Sequence, residues 1–453
     1  MSSLTSSRVA VVRTTPKYNR EIVEHAVTQV LQLLGVGWQD LIDPGDRVLL
    51  KPNFIRESHT DRPDEWEQII THGTVIAAVA GQVAEAMGGH GTITIADAPQ
   101  TDSNFQKICE RAQIPELQES FRRKHPGITL EVLDLRREAW QTRNGVVVER
   151  RKLPEDPRGY TQIDLGSSSC FHGVQGRFYG ADYDTNSTAV HHSKGVHEYL
   201  LSRSAMDADL FINLPKLKTH KKVGVTLSLK NLVGINGDKN YLPHFRIGTP
   251  DQGGDEFPDS SALNKLQSRA ISAFKALARR TGSAARWWAP VAKQAGSRVF
   301  GGADRSMRSG NWHGNDTTWR MTLDLNKALF YFDGEGRRRR KPLKYLSIVD
   351  GIIAGEGNGP MEADAKPCGV LIAGRNPVAV DLVTTSLMGF NWLKVASVRQ
   401  AFQSTDLKLA NFSPQDVEIV PELGVPFAFR PHFGWVGQIE LLADMDSPAT
   451  SRL

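Results

Sequence analysis

Asp209-Leu-Phe-Ile-Asn-Leu-Pro-Lys-Leu-Lys-Thr-His220, running on through Lys221-Lys-Val-Gly-Val-Thr-Leu-Ser-Leu-Lys-Asn231 to Gly234, is the stretch that decides the fold. Leu210 to Leu214 is a short apolar run of the kind that forms a buried strand, and Pro215, with no N–H to give a sheet ladder, ends it. Beyond it Lys216, Lys218, His220, Lys221 and Lys222 crowd into seven positions. Such a density of positive charge repels itself unless water screens each group or an anion sits among them. A solvated basic loop is the plain reading of a charge run. Here the loop leaves the end of a buried strand, where ligands of open α/β sheets collect. The apolar-rich segment Val223 to Val233 then reads as a helix with Lys230 and Asn231 embedded in it.

The chain on either side continues the same alternation. Arg8 to Arg13 is a strand candidate, and Asn19 to Leu34 has helical spacing. Asp43-Pro-Gly-Asp46 is turn chemistry that delivers the chain into a strand stopping at Lys51-Pro-Asn53. An Ala-rich helix from Thr74 to Met87 is closed by Gly88-Gly-His-Gly91, and the next strand ends at Asp97-Ala-Pro99. Strand, helix and strand in this order form right-handed parallel units. In the last third, Leu343 to Val349 runs into Asp350-Gly351, Gly355 to Pro360 reads as a glycine-rich loop, and Pro377 to Leu387 as a helix carrying Asp381.

The expected architecture is α/β and two-lobed, with mostly parallel Rossmann-like sheets and inserted loop-rich and helical regions. It divides into an N-terminal α/β lobe at 1–119, a loop- and β-rich insertion at 120–195, the central motif at 196–258, a helical insertion at 259–341 and a C-terminal α/β part at 342–453. In the helical insertion Leu263, Leu266, Ile271, Phe274 and Leu277 recur at helical spacing, and Trp287 and Trp288 read as packing residues.

With 453 residues, 40% of them hydrophobic and 23% charged, the chain has ordinary globular composition and can build a sizeable core. A formal charge of +5 is too small to mark a nucleic-acid binder by itself. No apolar run approaches the roughly 20 residues that span a bilayer. The first seven residues lack the apolar core of a secretory signal. A cytoplasmic protein with no membrane partner is expected. Cys109, Cys170 and Cys368 lie too far apart in sequence for a metal knuckle, so no iron-sulfur cluster is expected. No GK[ST] follows Gly355 to Gly359 and no GxGxxG follows the first strand, which leaves ATP and NAD without a familiar motif.

The polar residues at strand ends form a mixed constellation. Lys51, Asn53, Lys216, Lys218 and Asn231 are candidates to bind a phosphate- or carboxylate-bearing substrate. His220, Lys230 and Asp97 are the catalytic candidates: cationic neighbours disfavour protonation of His220, and an ammonium at Lys230 must be paired or be held neutral as a base. Asp350, Glu356 and Asp381 are candidates for a divalent cation. Four of them have a plainer alternative, an Asx turn for Asp97 or Asp350, a helix cap or a lysine pair for Asp381 and a snorkelling side chain for Lys230.

Lys51-Pro-Asn53, Thr71-His-Gly73, Asp97, Asn213-Leu-Pro-Lys-Leu-Lys-Thr-His220, Leu229-Lys-Asn231, Asp350-Gly351 and Asn376-Pro-Val-Ala-Val-Asp381 resemble the domain-of-unknown-function family 362. Many members of that family carry ferredoxin-like cysteine clusters, which this chain lacks. More distantly, Ala208-Asp209 followed by His220 and Lys230 looks like the lactate racemase superfamily. That resemblance implies a nickel-pincer nucleotide held by His220 and Lys230, although no histidine stands near Asp97-Ala-Pro99 and Ser228-Leu229 replaces a glycine pair.

The leading expectation is an enzyme that holds a small anion in a cleft between lobes, with His220 or Lys230 moving a proton. A nickel-pincer racemase or epimerase is the second, and a non-catalytic module for an anion, glycan or nucleic acid the third. Nucleic acid is disfavoured, because no aromatic residues interleave Lys216 to Lys222.

Overall fold

A computed structural model describes residues 3–143, 146–180, 186–300 and 307–441. Its organising element is a ten-stranded sheet. In chain order the strands are β1 (Arg8–Arg13), β2 (Arg47–Pro52), β3 (Gly91–Asp97), β4 (Ile128–Asp134), β5 (Leu210–Leu214), β6 (Lys216–His220), β7 (Gly224–Thr226), β8 (Lys344–Asn358), β9 (Glu362–Gly374) and β10 (Glu418–Val420). Across the sheet they lie as β10-β1-β9-β8-β5-β2-β3-β4, with β6 alongside the far half of β8 and β7 paired to β6. The run β8-β5-β2-β3-β4 is parallel throughout, whereas β9 is antiparallel to both β8 and β1. The fold is therefore α/β with a mostly parallel central sheet. Strands expected in two lobes are hydrogen-bonded into one sheet, and β5 is the seam that joins β2 to β8.

Alternation along the strands explains the layers. Leu50, Ile212 and Leu346 face α1 (Arg20–Leu34) and α2 (Gly73–Ala86), whose Val23, Val27, Val30, Val75, Val79 and Val83 form the first core. Their neighbours Leu49, Phe211 and Tyr345 point to the opposite face, into a second core with Leu229, Leu232, Leu323 and Leu329. Val9, Val11, Val349 and Ile372 pack with α3 (Pro377–Leu387) in a third. Strands covered on both faces carry near-continuous apolar runs, and β5 is buried at every residue.

Three expectations are corrected. Lys216 to His220 is a fully buried strand, not a loop. Val223 to Val233 is not one helix: it contains β7, a single helical turn at Ser228–Asn231 and a 3₁₀ turn beginning at Leu232. The glycine-rich segment from Gly355 is the far end of β8, which continues to Asn358. The helical insertion does form helices, Ala262–Thr281 and Ala285–Phe300. Trp288 packs edge-on against Phe274 as expected, but Trp287 is 72% exposed. Of the C-terminal tail, residues 442–453 lie outside the described residues.

Gly355 is what lets β6 lie so close to β8. A Cβ at this position would stand 2.9 Å from Ala363 Cβ and 3.0 Å from Lys218 Cβ. Gly355→Val is expected to cost about 1–3 kcal/mol through forced separation of the strands, read as a lower urea midpoint at unchanged slope. A wild-type midpoint would show that β6 is not clamped there.

Candidate functional site

Period-two geometry puts Lys216, Lys218 and His220 on one face of β6, while Leu217 faces the core and Thr219 donates to Gly357 O at 2.9 Å. All three basic residues are buried, and Lys216 and Lys218 are 0% exposed. On the neighbouring parallel strands, Lys51 ends β2 and Asp97 ends β3. The carboxyl ends of the strands thus converge on one patch, as parallel sheets require.

Two buried ion pairs anchor this patch. Lys51 Nζ lies 2.9 Å from Asp97 Oδ1 and donates to Pro52 O at 2.8 Å. The other Asp97 oxygen accepts the Phe54 N–H at 2.6 Å. Gly234 passes so close that a Cβ there would stand 1.7 Å from Asp97 Oδ1, so only glycine closes this corner. In the second pair, Lys216 Nζ lies 2.9 Å from Asp350 Oδ2 and donates to the Tyr18 hydroxyl at 2.6 Å. Tyr18 in turn donates to Asp350 Oδ1 at 2.8 Å, and the His72 N–H donates to Asp350 Oδ2 at 2.9 Å. The His72 ring is stacked on Tyr18 at 3.6 Å and faces Trp66 at 5.1 Å.

An amide network ties the strands together beneath these pairs. Asn231 Oδ1 accepts from Asn53 Nδ2 at 2.8 Å, and Asn231 Nδ2 donates to Asn213 Oδ1 at 2.7 Å and to Lys51 O at 3.1 Å. Asp381 holds the turn that carries Lys230, accepting the Ser228 and Leu229 N–H groups at 2.8 and 2.9 Å. A carboxylate on the free N–H groups of a helical turn is favourable, and here burial pushes its pKa up to about 7.

The remaining basic groups have few partners. Lys218 donates to Ile69 O, and its pKa is pushed well down by burial and by the charge of Lys216. Lys239 donates to Ala98 O at 2.7 Å and is lowered to about 8 by burial. Lys230 is half-buried and makes no hydrogen bond or ion pair among the described residues. Burial, followed by the charges of Lys239 and Lys51, lowers it to about 7. His220 accepts the Lys222 N–H on Nδ1 at 3.0 Å, which leaves the proton of the neutral ring on Nε2. Burial and the Lys230 charge hold its pKa well below the ordinary value. His244 is lowered to about 3 by burial and again by Lys230. Lys230 is thus a hub whose charge reaches Lys218, His220 and His244.

Of the residues expected from sequence, the structure brings together Lys51, Asn53, Asp97, Lys216, Lys218, His220, Lys230, Asn231 and Asp350. The candidate cation ligands are not gathered into one set. Asp350 is taken up by Lys216, Tyr18 and His72, Asp381 by the turn it caps, and Glu356 by Lys366 and Arg430 at 2.9 and 3.0 Å. No group of three His, Cys, Asp or Glu side chains suited to a metal is present among the described residues. Tyr18, His72, Lys239 and His244 were not among the expected site residues. Lys239 and His244 lie in the Gly- and Pro-rich segment 236–258, whose length without regular patterning was the available signal. Tyr18 stands between two elements with no motif around it.

Residues 125–386 match the family model described as "Domain of unknown function (DUF362)". The match spans β4 to α3 and includes every candidate from Lys216 to Asp381, whereas Lys51, Asn53 and Asp97 precede it. A Synechocystis sp. protein named as thylakoid-associated is 26% identical over 359 residues, covering 79% of this chain and 68% of the relative. A Thermotoga maritima crystal structure from a structural genomics consortium aligns with a TM-score of 0.33 at 10% identity, covering 79% of this chain and 56% of that one.

Lys216 and Lys230 should respond differently to truncation. Lys216→Met leaves Asp350 buried without its cation and should cost about 3–5 kcal/mol of stability. Lys230→Met leaves no stranded partner, so its unfolding midpoint at pH 7 should equal or exceed that of the parent. Folded Lys230 titrates near 7 against 10.5 for a lysine side chain in water. Between those values the unfolded chain binds more protons, and stability from this group rises with pH. Thermal unfolding across that window should show a rise in the parent that flattens in Lys230→Met; identical profiles would contradict the assignment.

Proposed function

The chain belongs to the family described as Domain of unknown function (DUF362), and we propose that it is an enzyme binding a small phosphate- or carboxylate-bearing molecule at the carboxyl edge of the central sheet. The observation that carries this reading is Lys230: a half-buried ammonium without a hydrogen-bond or ion-pair partner among the described residues, set among Lys51, Lys218, Lys239, His220 and His244. Asp97 and Asp350 are already engaged by Lys51 and Lys216. Among the described residues no carboxylate pairs with Lys230, and an anion is the group that would relieve its charge. Asn53 Oδ1, buried and without a hydrogen-bond partner among the described residues, offers an acceptor for a hydroxyl or amide of the same molecule.

In this reading Lys218 and Lys239 hold the anion, and Lys230 is the proton carrier. A group titrating near 7 is populated in both forms at neutral pH, the condition for efficient general acid–base work. His220, neutral with its Nε2–H free of the Lys222 contact, serves as a donor that orients the substrate. The cysteines Cys109, Cys170 and Cys368 are all free, which suits the cytoplasmic location included in this proposal. The nickel-pincer reading rests on the spacing of His220 and Lys230 alone. A nickel-containing mass adduct on Lys230 would move the assignment there.

Binding of inorganic phosphate at pH 8, followed by titration calorimetry, tests the proposal. The anion should restore the proton of Lys230, so the apparent enthalpy should vary with the ionisation enthalpy of the buffer. Lys230→Met should weaken binding by roughly tenfold or more, as expected for loss of a charge-assisted contact. Equal affinity in parent and variant, with no buffer dependence, would count against the site.

A further inference from the structure

Residues 262–300 contain eight Lys or Arg and no Asp or Glu. The whole chain carries only +5, so the rest of it is net negative and the positive charge is segregated here. The segment folds as two helices, Ala262–Thr281 and Ala285–Phe300, joined through a turn at Gly282. Their inner sides pair alanines with two aromatic rings: Ala278, Ala285 and Ala289 pack with Val146, Phe274 meets Trp288, and Trp288 Nε1 donates to Thr281 Oγ1 at 3.1 Å. The outer sides are not the polar faces that this packing predicts. Leu263, Leu266, Ala270, Ala273 and Leu277 recur at steps of three and four, one stripe along the first helix, and all are exposed. Trp287 and Val291 begin a second stripe at 72% and 66% exposure. Exposed Arg269, Arg280 and Arg286 flank them.

We propose that this helical hairpin docks on the surface of an anionic lipid bilayer. An apolar stripe edged by arginines is the pattern of a helix lying in the interface, its leucines and tryptophan among acyl chains and its cations at anionic headgroups. The other occupants fit less well. Nucleic acid would use the cations and leave the leucines, valine and tryptophan in water, and a second copy would bring two faces of the same positive sign together. Peripheral docking needs no spanning helix, and none among the described residues is long and apolar enough to cross a membrane. The proposal stands independently of the lysine site.

Flotation of the full chain with vesicles tests it. The protein should float with vesicles of phosphatidylcholine and phosphatidylglycerol in equal parts, and far less with phosphatidylcholine alone or at high salt. The combined substitution Leu266→Ser, Leu277→Ser and Trp287→Ser should reduce partitioning by roughly tenfold or more, with the melting temperature unchanged because these side chains are exposed. Failure to float with the anionic vesicles, or equal flotation with neutral ones, overturns the proposal. So does DNA binding that replaces lipid binding and survives the serine substitutions, or a dimer that those substitutions dissociate.

Discussion

Everything at the centre of this protein depends on the burial of lysine ammonium groups at the ends of parallel strands. Removing such a charge from water is costly, and the chain meets the cost at Lys51 and Lys216 by giving each a carboxylate on a neighbouring strand and a second oxygen from Pro52 or Tyr18. Those contacts fix the strand ends with little tolerance. Gly234 must be glycine for the corner at Asp97 to close, and Gly355 must be glycine for β6 to approach β8. Packing and electrostatics therefore impose the same constraint, because a looser sheet would strand a charge.

Lys230 differs in kind. Its turn is held by Asp381 and by the amide network from Asn231 to Asn213 and Asn53, so the backbone beneath it is rigid while its own head group has no partner among the described residues. Rigid support under a titratable group with no partner among the described residues is what the proposed proton transfer by Lys230 would require. The neighbouring histidines follow from it: His220 and His244 are neutral because they are buried beside a cationic cluster, and each can act only as a neutral donor or acceptor.

The hairpin at 262–300 obeys another logic. The core pairs almost every buried charge with an oxygen, whereas the hairpin concentrates cations with no acidic residue and leaves leucines on the outside. Helical spacing of those leucines is the usual mark of a core-facing stripe, yet here the small alanines face inward. A periodic pattern identifies a face without identifying what lies against it.

That distinction separates what the sequence by itself determined from what only the tertiary structure decided. The α/β class, the buried strand Leu210–Leu214 and the gathering of Lys51, Asp97, Lys216 and Lys230 near strand ends were legible, because turn residues and apolar runs report local geometry directly. The alternation Lys216-Leu-Lys-Thr-His220 was equally written in the sequence as a strand, but charge suggested water on its polar face. Only the fold supplied Asp350, Tyr18 and Ile69 to cover that face, from positions more than a hundred residues away. It likewise separated Asp350, Glu356 and Asp381, three carboxylates that their shared place near strand ends had grouped together. Local spacing sets which side chains share a surface; what neutralises them depends on long-range partners that no short window of sequence contains.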